Sequence, residues 1–229
     1  MHPVVTAARF FLPLILLSVL LTGTSVAATD YAAACRDEAQ RGLTTACEKA
    51  IAVNPNDAEL HALLGHAYFA SGFYAEGLQA LREAITVSRG APAYRYRYAG
   101  FAALINEYPK AAAELELAVA DEPRNLKAWT LLADCYRYMK DKPLALRAGR
   151  KAAELGDPAE SYILSTLYNS GDGVSIDPKE ELRWLERAAK AGYAAAVQDI
   201  VRFYADGRPG IPPDTAKRDY WQRKAKKLE

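Results

Sequence analysis

The stretch Leu164–Gly192, LSTLYNSGDGVSIDPKEELRWLERAAKAG, contains a complete helix–turn–helix hairpin and sets the register for the rest of the chain. Asp177-Pro178 supplies a helix cap and a suitable first helical residue, and Glu180 stands at the spacing of a capping box. Apolar side chains then recur at helical spacing, and Gly192 supplies the left-handed residue that ends a helix. The segment NSGDG is predicted to be the turn between two helices.

The same hairpin pattern recurs along the chain at a nearly constant interval. Six alanines mark it at spacings of 34, 34, 34, 36 and 37 residues: Ala50, Ala84, Ala118, Ala152, Ala188 and Ala225. Five landmarks of the quoted stretch also return in order near the end, as Tyr204, Gly207, Asp214, Trp221 and Ala225. Because a fixed period of this length is the signature of stacked helical repeats, we predict an all-α chain. The expected fold is a right-handed α-solenoid, or superhelix, of about six helix–turn–helix repeats.

These patterns resemble two known families of repeats. The quoted stretch is similar to Sel1-like repeats, whose pattern runs LxxLYxxGxGVxxDxxxAxxWxxxAAxxG, strongly from Pro158 to Gly192 and more loosely after Tyr193. The hairpins from Tyr31 to Pro158 resemble tetratricopeptide repeats, which carry Leu-Gly and Tyr in the first helix and small residues in the second. The resemblance implies tetratricopeptide-like repeats over 29–157 and Sel1-like repeats over 158–229, continuous in one solenoid.

The first 28 residues are predicted to be a secretory signal peptide. His2 and Arg9 form a weakly basic start, Phe10–Leu21 is an apolar run, and small residues follow at 25–28. A run of this length is short for a membrane span, which needs about 20 residues. We therefore expect export, to a bacterial periplasm, without stable membrane insertion once the signal is removed. Secretion and an uncleaved N-terminal anchor are the alternatives.

The chain has three cysteines. Cys35 and Cys47 flank a turn predicted at Arg41-Gly42, so they could face each other across an antiparallel helix pair. Two buried reduced thiols are the alternative to a disulfide. Cysteine-rich relatives among the Sel1-like proteins staple helix pairs within repeats, and the resemblance implies the same for Cys35 and Cys47. Cys135 is expected to be a small buried side chain.

Charge and motifs restrict the function classes. The net charge is +1, and removal of the leader with Arg9 leaves equal numbers of basic and acidic residues. A neutral chain lacks the basic footprint of general nucleic-acid binding, so no nucleic-acid partner is expected. The sequence contains none of the motifs HExxH, CxxC, GxxxxGK[ST], GxSxG, SxxK, SDN or KTG. We predict no catalytic residues, no metal site and no cofactor, so the chain is not expected to be an enzyme.

The resemblance to tetratricopeptide repeats implies a partner-binding surface, because the first helix of each pair lines the concave face in that family. The slots carried over residue by residue are Glu59, His66, Phe69, Tyr94, Arg97, Phe101, Leu104, Lys127, Thr130, Asp134, Arg137 and Tyr138. Aromatic residues together with arginine are typical of binding hot spots. Arg97, Lys127 and Arg137 are predicted to hold carboxylates of a peptide.

The leading hypothesis is an exported, non-catalytic scaffold or adaptor that binds a protein or extended peptide in its concave groove, within an envelope or secretion assembly. The alternative is a cell-wall protein, related to cysteine-rich Sel1-like proteins, that binds or hydrolyses peptidoglycan or a β-lactam. A structural subunit that stacks through its repeat ends is a third possibility. The sequence does not define the oligomeric state.

Overall fold

The computed structural model describes residues 30–226 of the chain. These residues form twelve α-helices and, beside them, one isolated antiparallel bridge between Arg208 and Ile211. The helices are α1 (30–40), α2 (Thr45–Val53), α3 (Ala58–Ala70), α4 (Tyr74–Val87), α5 (Pro92–Leu104), α6 (Tyr108–Asp121), α7 (Leu126–Tyr138), α8 (Lys142–Leu155), α9 (Pro158–Ser170), α10 (Pro178–Lys190), α11 (Ala194–Asp206) and α12 (Thr215–Ala225). The prediction of an all-α solenoid with about six helix–turn–helix repeats is confirmed. The signal peptide predicted at 1–28 lies outside the described residues.

The helices pair in chain order into six hairpins, which fall into two compact units divided after Arg89. The first unit holds α1 to α4 and the second holds α5 to α12. In the second unit each hairpin packs on the next, through α6 against α7, α8 against α9, and α10 against α11. The division lies inside the part predicted to be tetratricopeptide-like. The change of repeat type at 157–158, and with it the predicted domain boundaries, stays a prediction.

Equivalent side chains cap the first helices of two hairpins. Asp57 accepts hydrogen bonds from the amides of Glu59 and Leu60 at the start of α3, and Asn125 accepts one from the amide of Ala128 at the start of α7. These caps satisfy amides that have no partner inside the helix. Two rings one turn further on also bond to the preceding loops, as His61 Nε2 to the carbonyl of Pro55 and Trp129 Nε1 to that of Pro123, both at 2.9 Å. His61 is half-buried and bonded to the loop.

The quoted hairpin differs from the prediction in one detail. Asp177 caps α10 as expected, accepting hydrogen bonds from the amides of Lys179 and Glu180. The carboxylate of Glu180, however, bonds to the indole of Trp184 at 3.0 Å and does not return to the amide of Asp177 to complete a capping box. That amide donates to the carbonyl of Tyr168 at 3.1 Å. A backbone carbonyl of α9 therefore accepts the hydrogen bond that was predicted for the side chain of Glu180.

The last hairpin repeats this arrangement, which confirms the register. The amide of Asp214 donates to the carbonyl of Tyr204 at 2.9 Å, and the Asp214 side chain caps α12. Gly171 and Gly207 end α9 and α11 with φ angles of 76° and 68°. This left-handed region favours glycine because a Cβ is unfavourable there. Both hairpins predicted to be Sel1-like therefore end the first helix at a glycine with positive φ and cap the second helix with an aspartate.

The alanine ladder lies in the core. Ala50, Ala84, Ala118, Ala152 and Ala188 are each at most 1% exposed, and Ala225 is half-buried. A larger side chain at these positions would hold neighbouring helices further apart than the usual 8–10 Å. Small residues at a fixed period thus set the spacing of the helices.

The cysteines behave as the sequence suggested. Cys35 on α1 and Cys47 on α2 form a disulfide with their Cα atoms 4.4 Å apart, and both are fully buried. Cys135 on α7 is reduced and 1% exposed. The disulfide joins the two helices of the first described hairpin.

The basic C-terminal helix makes a contact that was not predicted. Lysines in the last turn of a helix usually face the negative end of that helix, and Lys227 lies outside the described residues. Lys224 Nζ instead lies 3.4 Å from the carbonyl of Ala189 and 3.5 Å from that of Lys190, at the end of α10. Arg187 makes the equivalent contact one repeat earlier, donating to the carbonyl of Glu154 at the end of α8. Each of these cations therefore satisfies carbonyls at the end of the preceding second helix.

Candidate functional site

The predicted binding residues of the first unit lie on α3. His66 is exposed, with Nδ1 3.3 Å from the carbonyl of Ala39, while Glu59 and Phe69 are half-buried. The Phe69 ring lies 5.4 Å from that of Tyr74 and packs over Gly77, where an added Cβ would come within 2.4 Å of it. Phe69 is therefore a packing residue of the α3–α4 hairpin.

In the second unit, α5 carries four of the predicted residues. The Arg97 guanidinium lies 5.6 Å from the centre of the Tyr94 ring, a distance at which a cation is attracted to an aromatic face. Phe101 is half-buried, whereas Leu104 at the end of the helix is 75% exposed. Tyr98, which lies on the same helix next to Arg97, is fully buried. The helix thus has one side in the core and offers an arginine and a leucine to solvent.

The neighbouring first helix, α7, carries the other five predicted residues. Lys127 is exposed, and Thr130 donates a hydrogen bond of 2.8 Å to the carboxylate of Asp157, the cap of α9. Tyr138 is 66% exposed, and its ring stacks on that of Tyr108, with centres 4.6 Å apart and planes within 4°. Because the stack fixes the tyrosine ring, binding a partner there would cost little side-chain entropy.

Asp134 and Arg137 belong to an ion-pair network. The Arg137 guanidinium donates to both carboxylate oxygens of Glu160, which is 2% exposed, and to Asp134 at 2.6 Å. Burial raises the pKa of Glu160, and its hydrogen bonds with Arg137 oppose the shift. Gly149 makes room for this carboxylate, since an added Cβ would lie 2.6 Å from Glu160 Oε2. Arg137, predicted to hold a partner's carboxylate, is thus already engaged by two carboxylates of the chain.

Next to this network the second unit contains an open pocket of about 350 Å³. Apolar side chains of α8 and α9 form its walls. We call buried Glu160 with its partner Arg137 the base of the pocket, and we call the exposed residues of the α7–α8 turn, the start of α8 and the α9–α10 turn its mouth. The wall residues are Ala145, Leu146, Ile163, Leu164 and Leu167, and the mouth residues are Lys140, Lys142, Asp172 and Gly173. A concave apolar site with a few placed polar groups is the usual form of a ligand-binding site.

The local sequence explains why the pocket forms at this place. The α8 face that points to α9 carries Ala145 and Gly149, so it is short of side-chain volume. Glu160, from the first turn of α9, covers Gly149, and the space further along the two helices stays open. The pocket lies between α8 and α9, where the change from tetratricopeptide-like to Sel1-like repeats is predicted.

Of the twelve predicted residues, only Arg137 lines this pocket. The predicted slots do not include Ile163 and Leu167 because they were carried over from tetratricopeptide repeats and stop before α9. They do not include Lys140 because they lie on first helices and not on the turns that follow. Small residues on α8 opposite a charged residue in α9 were an available signal. The remaining predicted residues lie on α3, α5 and α7, and their role in binding stays a prediction.

Two further observations bear on chemistry within residues 30–226. No group of three or more His, Cys, Asp and Glu side chains in this range is arranged to hold a metal ion. Burial raises the pKa of the Cys135 thiol to about 11, so the thiol carries a proton at neutral pH.

Within residues 30–226 no helix combines the length and the apolar character that crossing a membrane requires.

Comparison with known proteins identifies the fold. No family model matches the sequence, and no curated protein matches it. Among solved structures, Pseudomonas aeruginosa PilF aligns at 19% identity and a TM-score of 0.60 over 90% of this chain and 93% of its own. A Sel1 repeat protein from Oxalobacter formigenes aligns at 23% identity and a TM-score of 0.54, covering 81% of this chain and 78% of its own.

A third solved structure is YrrB, described as a tetratricopeptide repeat protein with an unusual peptide-binding site. It aligns at 19% identity and a TM-score of 0.53 over 80% of this chain and 92% of its own. At these identities the likeness concerns the fold. The chain is therefore a helical-repeat protein with the fold that tetratricopeptide and Sel1-like repeat proteins share.

Proposed function

We propose that this chain is an exported, non-catalytic adaptor that binds a protein or an extended peptide within an envelope or secretion assembly. The proposal is carried by the large exposed side chains at the ends of α5 and α7 and by the open apolar pocket beside α7, α8 and α9, whose base is half-buried Arg137 with buried Glu160. Such a site offers apolar burial for a side chain and charged groups that restrict which chains can enter.

Exposed side chains near the predicted slots support the proposal. Leu104, Tyr138 and Met139 are 75%, 66% and 40% exposed, and all three lie at the ends of first helices in the second unit. Large apolar side chains on a surface are informative when they cluster with aromatic residues. The stacked Tyr108–Tyr138 pair adds a rigid aromatic surface of the kind that binding sites favour.

Fold and covalent structure support the location and the mode of action. Helical-repeat folds build extended surfaces and support binding without a reaction centre. YrrB is described as having a peptide-binding site, and we propose that this chain uses the shared fold in the same way. The Cys35–Cys47 disulfide fits an oxidising compartment such as the periplasm, where disulfides persist.

A cross-linked pull-down from envelope extract of the native host tests the proposal. The bait is the mature chain, compared with a variant that carries Arg97→Ala, Leu104→Ala and Tyr138→Ala. Arg137 stays unchanged because its loss would leave Glu160 buried without its partner. The matched control replaces exposed side chains on the second helices α4, α6 and α12: Arg82→Ala, Leu117→Ala and Tyr220→Ala.

Equal helicity and equal melting temperatures of the three proteins are required first. We expect a protein that is captured by the mature chain and the control and lost from the first variant. Capture that is equal for all three would contradict binding through the predicted first-helix residues of α5 and α7.

A further inference from the structure

We infer that the pocket beside α7, α8 and α9 selects internal peptide segments in which an acidic residue stands within two residues of a large apolar side chain. This inference rests on the proposed function and specifies the chemistry of the partner at one site. It concerns residues that the first-helix slots do not include, chiefly Ile163 and Lys140.

The walls of the pocket determine the apolar part of the motif. Leu146, Ile163 and Leu167 are half-buried, so their side chains retain surface that a ligand can cover. A volume of about 350 Å³ is at the small end of the range for ligand pockets, roughly 300–1,000 Å³. The pocket thus holds a leucine, methionine or phenylalanine side chain with part of its backbone. Burial of that apolar surface is the main favourable contribution to binding.

The charges around the pocket determine the acidic part. Arg137 is engaged by Glu160 and Asp134 at the base, and Lys142 Nζ lies 2.9 Å from the carboxylate of Asp172 at the mouth. Lys140 makes no ion pair among the described residues, and it is exposed. The charge at the mouth that lacks a counter-ion is therefore positive, and it complements a carboxylate.

The backbone at Lys140 adds a second, independent observation. Lys140 has a φ angle of 61°, which side chains other than glycine and asparagine rarely adopt. The residues 34 and 68 positions earlier occupy the equivalent turns with the same left-handed backbone, and they are Asn106 and Gly72, with φ angles of 62° and 82°. A lysine at this place is unfavourable for the turn, and a role for its charge at the pocket mouth accounts for it.

The positions of Arg137 at the base and Lys140 at the mouth favour an internal segment over a chain terminus. A terminal carboxylate next to the buried side chain would need a cation at the base, where Arg137 is already taken by Glu160. The available lysine stands at the mouth. In an extended segment the side chains of residues i and i+2 point to the same face. One of them can then enter the pocket while an acidic neighbour stays at its mouth and meets Lys140.

Peptide selection from a random display library tests the inference directly. The random segment is flanked on both sides by fixed Gly-Ser stretches, so every candidate is internal. The full mature chain is the target, beside the variants Lys140→Asn and Ile163→Glu. Asparagine suits the left-handed turn and removes the charge, and glutamate puts a carboxylate on an apolar wall. The matched controls are Lys49→Gln, at an exposed lysine of the first unit, and Leu117→Glu, at an exposed leucine of α6 outside the pocket.

We expect the mature chain and both controls to enrich peptides with an acidic residue within two positions of Leu, Met or Phe. Lys140→Asn should lose the acidic preference and bind a selected peptide about threefold to tenfold more weakly at low salt, with a smaller difference at high salt. Ile163→Glu should lose the apolar preference. Lys140→Asn should also melt at a higher temperature than the mature chain, so a folding defect cannot produce its loss of selectivity.

Enrichment of peptides without the acidic residue, selection that Ile163→Glu leaves unchanged, or no enrichment at all would overturn the inference. Peptides that are enriched but indifferent to both pocket variants would still leave the adaptor proposal in place. That proposal fails separately, in the pull-down, if the first-helix variant captures the same proteins as the mature chain.

Discussion

The guanidinium of Arg137 on α7 donates to both carboxylate oxygens of Glu160 on α9, at 3.0 Å for the Nη1–Oε2 pair. The Glu160 side chain is 3% exposed and the Arg137 side chain 32%. This bidentate pair joins the last hairpin predicted to be tetratricopeptide-like to the first one predicted to be Sel1-like. It also forms the base of the pocket, so the stability of the junction and the shape of the site depend on the same two residues.

Replacing Arg137 with alanine is expected to destabilise the protein strongly. The change leaves a buried carboxylate without its partner, which typically costs about 3–5 kcal/mol. Chemical denaturation at pH 7, followed by circular dichroism, measures the free energy of unfolding. The double variant Arg137→Met with Glu160→Met is the control, because it removes both charges. It should recover most of the loss, and a double variant no more stable than Arg137→Ala would contradict the account.

Gly149→Ala is expected to destabilise the protein, whereas Gly100→Ala is expected to stabilise it. A Cβ at Gly149 would lie 2.6 Å from Glu160 Oε2, and the two hydrogen bonds from Arg137 hold that carboxylate in place. Such overpacking costs about 1–3 kcal/mol. A Cβ at Gly100, inside α5, meets nothing within 4 Å, so alanine there should contribute about 0.4–1 kcal/mol through the unfolded chain. Thermal melts of the two variants should shift in opposite directions, and shifts of the same sign would be inconsistent with this packing.

The stability of the protein should depend on pH through Glu160. Burial raises the pKa of this carboxyl above its ordinary value of 4.5, so in the window between the two values the folded chain binds more protons than the unfolded chain. Stability contributed by the protonated form is then lost as the pH rises from about 4.5 through the folded pKa. The variant Glu160→Gln should lack this loss. Unfolding free energies of both proteins between pH 4 and 7 give the comparison, and parallel pH profiles would refute the shift.

A second buried glutamate provides an independent test of the sign. Burial also raises the pKa of Glu181, which lies 3.3 Å from Arg208, and Arg208 opposes the shift. Glu181→Gln should therefore flatten the profile in the same direction as Glu160→Gln. A pH profile of Glu181→Gln that matches that of the mature chain would contradict the sign.

Thiol labelling should distinguish the three cysteines by state. In the native mature protein Cys135 is buried, so labelling should be slow. Denaturation without reductant should expose one thiol, and reduction should expose three, because Cys35 and Cys47 are disulfide-bonded. Replacing both with alanine should lower stability by about 3 kcal/mol, the chain-entropy value for a short loop. Three reactive thiols in the unreduced denatured chain would exclude the disulfide.

The repeat pattern allowed the hairpins to be predicted because their ends depend on local chemistry. Asp177 caps α10, and Gly171 and Gly207 have positive φ angles at the ends of α9 and α11. The alanine ladder is buried, as the small side chains and the fixed period of the sequence indicate. Each of these features is determined by residues close together in the chain. A sequence read one hairpin at a time is sufficient for them.

Contacts between hairpins were not predictable in the same way. Arg137 was assigned to a partner because its helix face was known, but Glu160 lies 23 residues further on and its burial depends on Gly149. Lys224 likewise reaches the end of α10, 35 residues back, and not the end of its own helix. Both side chains meet their partners through the packing of successive repeats. The pocket is missed for the same reason, since its walls come from α8 and α9 and its mouth from two turns.

Site-specific photo-crosslinking in the native host tests the central claim, that this chain binds its partner through the first helices of the second unit. A photoreactive phenylalanine analogue replaces either Tyr138 on α7 or Tyr220 on α12, two tyrosines that are 66% and 53% exposed. The account predicts a protein cross-linked from position 138 and absent from position 220. A protein cross-linked from position 220 and not from position 138 would contradict it.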